Sequence, residues 1–387
     1  MAAEKTHKLS ERKTRHINRK RLIGLVLAVV IIAAAAFLLV RMISHRSFEK
    51  AELVEEIEQS GGSNVDYLHF GSGILRYSRN GAAFLKGDGK ELWNISYSYE
   101  NPRAKLQEGY AMIADIGGMS ACIVGREGIT GIITTNQPIL NMSISGTGTA
   151  VLALEDGTTS TLQFYDRTGK QLDISVTLEM GMSGYPVDLA LSPDGSGLVV
   201  AAGAYLGGEL ATQIVFYNFS VGRGETNRMV GYFTYKDVVF PEIRYMSSQT
   251  VAAAGDDRLV FFDLSTETKP QVKEEHIFDT QITAVDMSTA AVSVVRSVTS
   301  GPGLMLEVFG RNGKKAFETE LDETPRYMEE SENYVLMTTE SGVKIWDYSG
   351  KLRFEGLLAQ EAQTVFAMNR RTLVQPSGGR LYRYRLK

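Results

Sequence analysis

The chain has 387 residues, of which 43% are hydrophobic and 22% are charged, with 38 glycines, 9 prolines and one cysteine. This composition excludes a collagen-like, a disulfide-rich and a wholly disordered protein, and the single Cys122 excludes an intramolecular disulfide and a multi-cysteine metal site. The net charge of −4 is unevenly distributed. Residues 1–21 contain eight basic and two acidic side chains, a balance of +6, so the other 366 residues carry −10.

Residues 22–40 form an uninterrupted apolar run of 19 residues directly after this basic head. As a helix the run would span roughly 28 Å, close to the hydrocarbon thickness of a bilayer. It therefore predicts one transmembrane helix that contacts the lipid bilayer. The alternative is a cleaved signal peptide, because Ala33 to Ala36 offer small residues of the kind found at cleavage sites. An uncleaved anchor is favoured because the basic head is long and the apolar run continues past the alanines.

The distribution of basic residues predicts the orientation of this helix. Eight Lys and Arg residues precede it, whereas three, Arg41, Arg46 and Lys50, follow it closely. Since the larger basic cluster normally stays in the cytoplasm, we expect a cytoplasmic N-terminus and an extracytoplasmic body at the cell membrane. A basic head can also bind nucleic acid, but an acidic exported body argues against that role, and we expect no nucleic-acid partner.

The segment 41–61 contains apolar residues at nearly every third position: Phe48, Ala51, Val54 and Ile57. Glutamates lie between them, and Gly61-Gly62 follows. This spacing predicts a short amphipathic helix in a solvated stalk. A dimerising helix is the alternative.

From Val65 onward, short runs rich in Val, Ile, Tyr, Phe and Thr are separated by Gly, Asn and Asp, which indicates an all-β chain. One turn pattern recurs: two apolar or aromatic residues, a turn residue and often a glycine three positions later, where a positive φ is expected. The third position of each copy falls at residues 86, 125, 166, 218, 263, 310, 347 and 383, a mean spacing of about 42 residues.

This period is typical of a four-stranded β-propeller blade, so residues 62–387 are predicted to form one β-propeller. Eight copies favour eight blades. The last unit ends before a fourth strand, so its outer strand is either absent or donated from near the N-terminus. A seven-bladed ring, in which the first and last units share a blade, is the alternative. Additional residues around 203–212 and 221–228 are expected to form loops that protrude from one face.

Five prolines mark the points where one unit ends and the inner strand of the next begins, a position at which a strand tolerates proline: Pro102, Pro138, Pro186, Pro241 and Pro325. These connections ring one mouth of the central channel. The residues beside them are therefore predicted to form a partner-binding rim: Arg103, Tyr185, Glu242 and Arg326. The alternative is that these residues only shape turns.

Several motifs resemble those of known propellers. GDGKELW, residues 87–93, resembles the DGK-x-x-W turn of quinoprotein-like and outer-membrane-assembly propellers, and LSPDGSGLVV, residues 191–200, resembles the S-P-D-G turn of WD40-like and surface-layer propellers. The dipeptide Trp346-Asp347 is similar to the WD dipeptide. The whole plan is similar to an uncharacterised family of single-pass, membrane-anchored β-propeller proteins of Gram-positive, Clostridia-type bacteria. This resemblance implies the fold and an envelope location, and it assigns no function.

The sequence contains no recognisable catalytic constellation. His69 and His276 are the two histidines of the predicted propeller and lie about 200 residues apart, which argues against a metal site or a histidine-based triad. No nucleophile elbow, P-loop or regular calcium loop is present. We therefore predict no catalytic residue, no cofactor and no metal, and we expect Cys122 to be a small buried hydrophobe.

These observations favour a non-catalytic binding or scaffolding module, tethered to the membrane, for a cell-envelope protein or polymer. The alternative is an envelope hydrolase or lyase that uses carboxylates at the channel mouth, with Glu242 as one candidate, because carboxylate pairs need no motif of fixed spacing. A sensor that signals through the basic head is a third possibility.

Overall fold

The computed structural model describes residues 27–32, 47–59, 64–179, 184–220, 228–266, 269–298, 303–331, 334–361 and 363–387. The chain divides into two units, Met1–Ser47 and Phe48–Lys387. In the first unit, residues 27–32 are helical and their side chains are exposed. None of the helical residues that the structure describes belongs to a helix long and apolar enough to cross a membrane. The basic head 1–21 and the rest of the predicted span 22–40 lie outside the described residues.

The second unit begins with β1 (Ala51–Glu58), followed by four-stranded sheets formed from consecutive strands. Blade 1 contains β2 (Asp66–Phe70), β3 (Gly73–Ser78), β4 (Gly81–Lys86) and β5 (Glu91–Ser96). Blade 2 contains β6 (Pro102–Gln107), β7 (Tyr110–Asp115), β8 (Ser120–Gly125) and β9 (Gly128–Thr134). Blade 3 contains β10 (Ile139–Ile144), β11 (Ala150–Asp156), β12 (Thr159–Tyr165) and β13 (Gln171–Glu179). Blade 4 contains β14 (Tyr185–Leu191), β15 (Gly197–Leu206), β16 (Glu209–Asn218) and β17 (Met229–Lys236).

The remaining blades follow the same plan. Blade 5 contains β18 (Glu242–Ser247), β19 (Thr250–Ala254), β20 (Arg258–Asp263) and β21 (Gln271–Ile277). Blade 6 contains β22 (Ile282–Met287), β23 (Ala291–Ser297), β24 (Leu304–Gly310) and β25 (Lys315–Leu321). Blade 7 contains β26 (Tyr327–Glu330), β27 (Tyr334–Thr339), β28 (Gly342–Asp347) and β29 (Leu352–Gly356). Blade 8 contains β30 (Phe366–Asn369), β31 (Thr372–Ser377) and β32 (Arg380–Leu386), and β1 is its fourth strand.

The strands of each blade pair antiparallel, from an inner strand at the channel to an outer strand. Inner strands of neighbouring blades contact one another, for example β10 with β14 and β14 with β18. All inner strands therefore begin at one mouth of the channel. We call this side the upper face; antiparallel pairing places the turns between second and third strands on the same side. The predicted all-β, eight-bladed propeller is confirmed.

The ring closes through β1, which pairs antiparallel with β32 from Ala51–Leu386 to Glu58–Arg380. The amphipathic helix predicted within 41–61 is therefore wrong, as is the seven-bladed alternative, and the propeller begins at β1 rather than at residue 62. A β-bulge between Leu53 and Glu55 inserts one extra residue and breaks the two-residue alternation of the strand, so its apolar residues recur with a spacing typical of a helix. The intervening glutamates are the ion-pair partners of basic residues near the C-terminus.

The hydrophobic core is divided among the interfaces between neighbouring blades. Each of eight buried clusters joins two adjacent blades, including blades 8 and 1. Between blades 4 and 5, for example, the Phe216 and Phe262 rings meet edge to face with centroids 5.1 Å apart, and Phe233 packs against both. The sheets are buried on both faces, which explains their nearly continuous apolar middle strands.

The recurring turn lies where the third strand of a blade ends. At the third turn the Asp166 carboxylate accepts hydrogen bonds from the backbone N–H groups of Thr168 (2.8 Å) and Lys170 (3.1 Å), and Gly169 takes a φ of +82°. In blade 8 the third position of the turn pattern is predicted at residue 383. The residue that pairs with the first residue of β31 is Arg385, so the predicted position is two residues too early. Residues 203–212 extend a regular hairpin rather than a loop, and residues 221–227 lie outside the described residues.

Candidate binding site at the channel mouth

The four residues of the predicted rim all lie where inner strands begin, on the upper face. Tyr185 and Glu242 are the first residues of β14 and β18, Arg103 is the second residue of β6, and Arg326 immediately precedes β26. Their shared position follows from the common direction of the inner strands. Partner binding by these four residues stays a prediction.

The four rim residues surround the mouth without forming a cluster. Arg326 forms an ion pair with Glu361, and its backbone N–H donates a hydrogen bond to Thr338 (2.8 Å). Arg103 and Tyr185 are exposed, whereas Glu242 is partly buried and lines a cavity inside the channel. Within the described ranges, no hydrogen bond or ion pair joins any two of the four.

A projecting hairpin stands beside Tyr185 on the upper face. Strands β15 and β16 have ten residues each and are joined by Gly207 and Gly208, whose φ angles of +62° and +94° suit a two-residue hairpin turn. At its tip Tyr205 and Leu210 are cross-strand partners, and 71% and 46% of their surfaces are exposed. The hairpin therefore presents an apolar tip to solvent.

The channel contains a cavity of about 480 Å³ that is lined by the inner strands of blades 1 to 6. Its charged lining residues are two cations and two anions: Lys105, Arg244, Asp188 and Glu242. Its apolar lining includes Leu68, Leu106, Ile243 and Val285. The cavity is thus polar on one part of its wall and apolar on another.

Polar side chains of the inner strands connect neighbouring blades. Asp188 accepts a hydrogen bond from the Ile243 N–H (2.9 Å), Asp286 from the Glu330 N–H (2.7 Å) and Glu329 from the Ala367 N–H (3.2 Å). Ser143 likewise accepts one from the Leu191 N–H (3.0 Å). Inner strands have a free edge towards the channel, so these side chains satisfy N–H groups that no further strand can pair.

Two charged pairs reach past a neighbouring blade. Lys105 of blade 2 pairs with Asp188 of blade 4 and donates a hydrogen bond to the Leu189 carbonyl oxygen (3.2 Å). His69 of blade 1 pairs with Glu329 of blade 7. Burial acts to lower the pKa of His69, but the hydrogen bond and charge of Glu329 outweigh it, so the net shift is upward. Sequence reasoning treated His69 as an isolated histidine and missed this pair.

Blade 5 differs from its neighbours. Glu242 and Arg244, two residues apart on β18, line the cavity, and no residue that the structure describes gives either side chain a hydrogen bond or an ion pair. Burial, then the charge of Asp286, raises the pKa of Glu242 to about 7, while Arg244 acts in the opposite direction. Burial also raises the pKa of Asp286 to about 6.

Glu330 is a buried carboxyl between blades 6 and 7. It contacts the Ser293 hydroxyl, and the Tyr348 hydroxyl lies 2.8 Å from its Oε2. Burial raises the pKa of Glu330 to about 8 although both hydroxyl contacts act to lower it. The Tyr348 hydroxyl also contacts the Ser331 carbonyl oxygen, so its single proton is shared between two acceptors, Glu330 Oε2 and Ser331 O. The raised pKa favours the protonated, uncharged form of this carboxyl around neutral pH.

His276 and Cys122 are the other residues of reactive types in the described propeller, and both have packing contacts. His276 Nε2 lies 2.7 Å from the Gly313 carbonyl oxygen, and its ring packs on Phe309. Cys122 is buried, and burial raises the pKa of its thiol to about 11. The described ranges contain no group of three or more His, Cys, Asp or Glu residues placed to hold a metal ion.

The sequence profile of DUF5711, a family of unknown function, matches residues 44–379. The chain belongs to DUF5711. No curated protein matches this DUF5711 chain. The predicted assignment to a family of unknown function and the β-propeller fold are confirmed, whereas membrane anchoring and a clostridial origin stay predictions.

Solved propellers resemble this DUF5711 chain at low sequence identity. The Dos1 propeller aligns with a TM-score of 0.56 and 13% identity over 87% of this chain and 95% of its own. AztD from Citrobacter koseri aligns with a TM-score of 0.52 and 14% identity over 78% and 88%. BamB from Moraxella catarrhalis aligns with a TM-score of 0.50 and 14% identity over 87% and 100%. At this identity the likeness concerns the fold alone.

Proposed function

We propose that this DUF5711 protein is a membrane-tethered, extracytoplasmic binding propeller that holds a cell-envelope protein or polymer on its upper face, without catalysis. The observation that carries the proposal is the exposed apolar tip of the blade 4 hairpin, on the same face as the predicted rim. The apolar run 22–40 and the basic head before it support the tether and the orientation.

The composition of the upper face favours a protein partner over a polymer. Tyr205, Leu210 and the exposed Tyr185 place apolar and aromatic surface close together, and tyrosine and arginine are enriched where proteins bind one another. The arginines of the rim, Arg103 and Arg326, supply polar surface around the same mouth. A central apolar contact surrounded by polar residues is the usual arrangement of such interfaces.

Site-specific photocrosslinking in intact cells tests the binding face. The full chain carries a photoreactive amino acid at Tyr205 on the upper face or, as the matched control, at Thr168 on the opposite face, where it is also exposed. We expect one discrete adduct from position 205 and none from position 168. Leu210→Ala should weaken the adduct at 205. Equal adducts from both faces, or adducts only from 168, would exclude the upper face as the binding surface.

Proteolysis of intact cells tests the orientation separately. An extracytoplasmic propeller should be digested from outside, while the basic head stays protected. A body that resists protease in intact cells and is digested after lysis contradicts the proposed location.

An envelope hydrolase or lyase is the second candidate, and the pKa values of the channel carboxyls favour it. Burial raises the pKa of Glu242 to about 7 and that of Asp286 to about 6, which brings both carboxyls close to the pH at which a general acid or a general base would work. Turnover of cell-wall or glycan substrates by the full chain, abolished by Glu242→Gln and unaffected by the exposed Glu318→Gln, would favour the enzyme over the binding module.

A further inference from the structure

Polar side chains of the inner strands form hydrogen bonds that connect neighbouring blades, but two charged side chains of blade 5 do not. Asp188, Asp286 and Glu329 each bind a backbone N–H group of the next blade. Glu242 and Arg244 bind none, and the described chain offers them no ion-pair partner. The two side chains thus face the cavity with their hydrogen-bonding capacity available.

The placement of Glu242 and Arg244 follows from the alternation of β18. Ile243 and Tyr245 pack into the core between blades 4 and 5, so residues 242 and 244 share the opposite side of the strand. Arg244 attracts the charges of Glu242 and Asp286, but neither Glu242 nor Arg244 has a hydrogen-bond partner among the described residues, and a charge partly withdrawn from water without hydrogen bonds is destabilising. Two such charges on one wall of a cavity point to a ligand that completes their hydrogen bonds.

The charge balance of the cavity indicates what kind of ligand fits. The lining itself carries two positive charges, Lys105 and Arg244, and two negative charges, Asp188 and Glu242. Asp286 lies behind it, where it repels the charge of Glu242 and attracts that of Arg244. A simple anion or cation would meet one attractive and one repulsive member of the available pair. A molecule with both charges satisfies both, and the wall formed by Leu68 and Val285 accommodates an apolar group. The volume of about 480 Å³ lies in the range of small-molecule sites.

We propose that the channel cavity binds a small zwitterion with an apolar side chain, an amino acid or a short peptide, with its ammonium on Glu242 and its carboxylate on Arg244. This site is separate from the hairpin tip of the upper face. Glu242 belongs to both the predicted rim and this site, so the two proposals are distinguished by Leu210→Ala, which should weaken only partner binding, and by Arg244→Gln, which should weaken only zwitterion binding.

Calorimetric titration of the unmodified full chain with defined probes tests the ligand class. The probes are L-leucine, the dipeptide L-leucyl-L-leucine, its N-acetyl derivative without the ammonium, and its amide without the carboxylate. We expect L-leucine or the dipeptide to bind, and either blocked derivative to bind at least tenfold more weakly, because each leaves one charge of the protein unpartnered. Comparison of leucine with the dipeptide distinguishes a free amino acid from a peptide.

Two substitutions test which protein side chain binds each charged end of the ligand. Glu242→Gln should weaken the zwitterion at least tenfold and should leave the N-acetyl derivative unchanged. Arg244→Gln should weaken the zwitterion and leave the amide unchanged. Glu318→Gln, on an exposed outer strand, is the matched control and should change nothing. Thermal unfolding of each variant verifies its fold. The comparison of blocked and unblocked probes uses the unmodified protein, so it tests the proposal even where a variant fails to fold.

Proton release provides a second readout. The groups that face Glu242 are Asp188, Asp286, Arg244 and Lys105. An ammonium bound to Glu242 favours its ionised form, so binding near pH 7 should release a fraction of a proton per bound ligand, and Glu242→Gln should abolish that release. Failure of both L-leucine and the dipeptide to bind at millimolar concentration, or equal binding of the blocked and unblocked dipeptides, overturns the proposal.

Discussion

Glu330 should make the folded propeller less stable as the pH rises through neutrality. Its carboxyl is buried between blades 6 and 7 and is held by Ser293 and Tyr348. The perturbation is Glu330→Gln, which keeps the shape of the side chain and removes its ability to ionise. The substitution removes the only titration at this position.

The sign follows from proton linkage. Burial raises the pKa of Glu330 from an ordinary 4.5 to about 8, so between these pH values the folded protein binds a proton that the unfolded chain has released. Unfolding free energy therefore falls as pH rises from about 4.5 to about 8. At about 1.4 kcal/mol per pH unit, the full difference is at most about 5 kcal/mol.

Urea unfolding of the full chain and of Glu330→Gln at pH 5, 7 and 9 measures this effect. The variant should be close to the unmodified protein at pH 5 and more stable by a few kcal/mol at pH 9. Glu320→Gln, at an exposed position of strand β25, should leave the pH profile unchanged. A pH profile of Glu330→Gln that is parallel to that of the unmodified protein would refute the reasoning.

Three further substitutions test the packing, a turn and the ring closure. Phe262→Ala should destabilise the protein by about 3–5 kcal/mol in chemical unfolding, because its fully buried ring fills the interface between blades 4 and 5. Gly342→Ala should cost more than about 3 kcal/mol, since the φ of Gly342 is +132° and a Cβ there would lie 2.4 Å from the Gly356 oxygen. Its control, Gly207→Ala, has open space around it and should cost about 1 kcal/mol. Glu55→Arg should lower the stability by up to about 1 kcal/mol at low salt, and adding Arg383→Glu should restore it; a lack of restoration would show that the pair contributes nothing.

The blade count could be predicted from sequence because the turn at the end of each third strand is encoded locally. Asp166 and Gly169, for example, supply the side-chain acceptor and the positive φ that this turn needs. The number of repeats in the sequence therefore equals the number of these turns, and so the number of blades. The closing strand could not be read in this way, because β1 pairs with a partner at the other end of the propeller and its bulge disguises the alternation.

The candidate site was predictable only in part. The prolines located the channel mouth, and Glu242 was identified because it follows Pro241. Lys105, Arg244 and Asp286 carried a weaker signal: each is a charged residue with an apolar or aromatic residue on both sides of it in an inner strand. Which of these charges meet depends on contacts between blades, and a local pattern does not contain that information.

The pairing of β1 with β32 also bears on how the ring forms. Ala51 and Leu386 are 335 residues apart, so the strand that is synthesised first obtains its partner last. Contacts of such sequence separation form slowly, and until then β32 is an unpaired edge strand. The same edge can form identical pairs with the β1 of another copy, so slow closure at high protein concentration favours exchange of β1 between chains and a domain-swapped dimer.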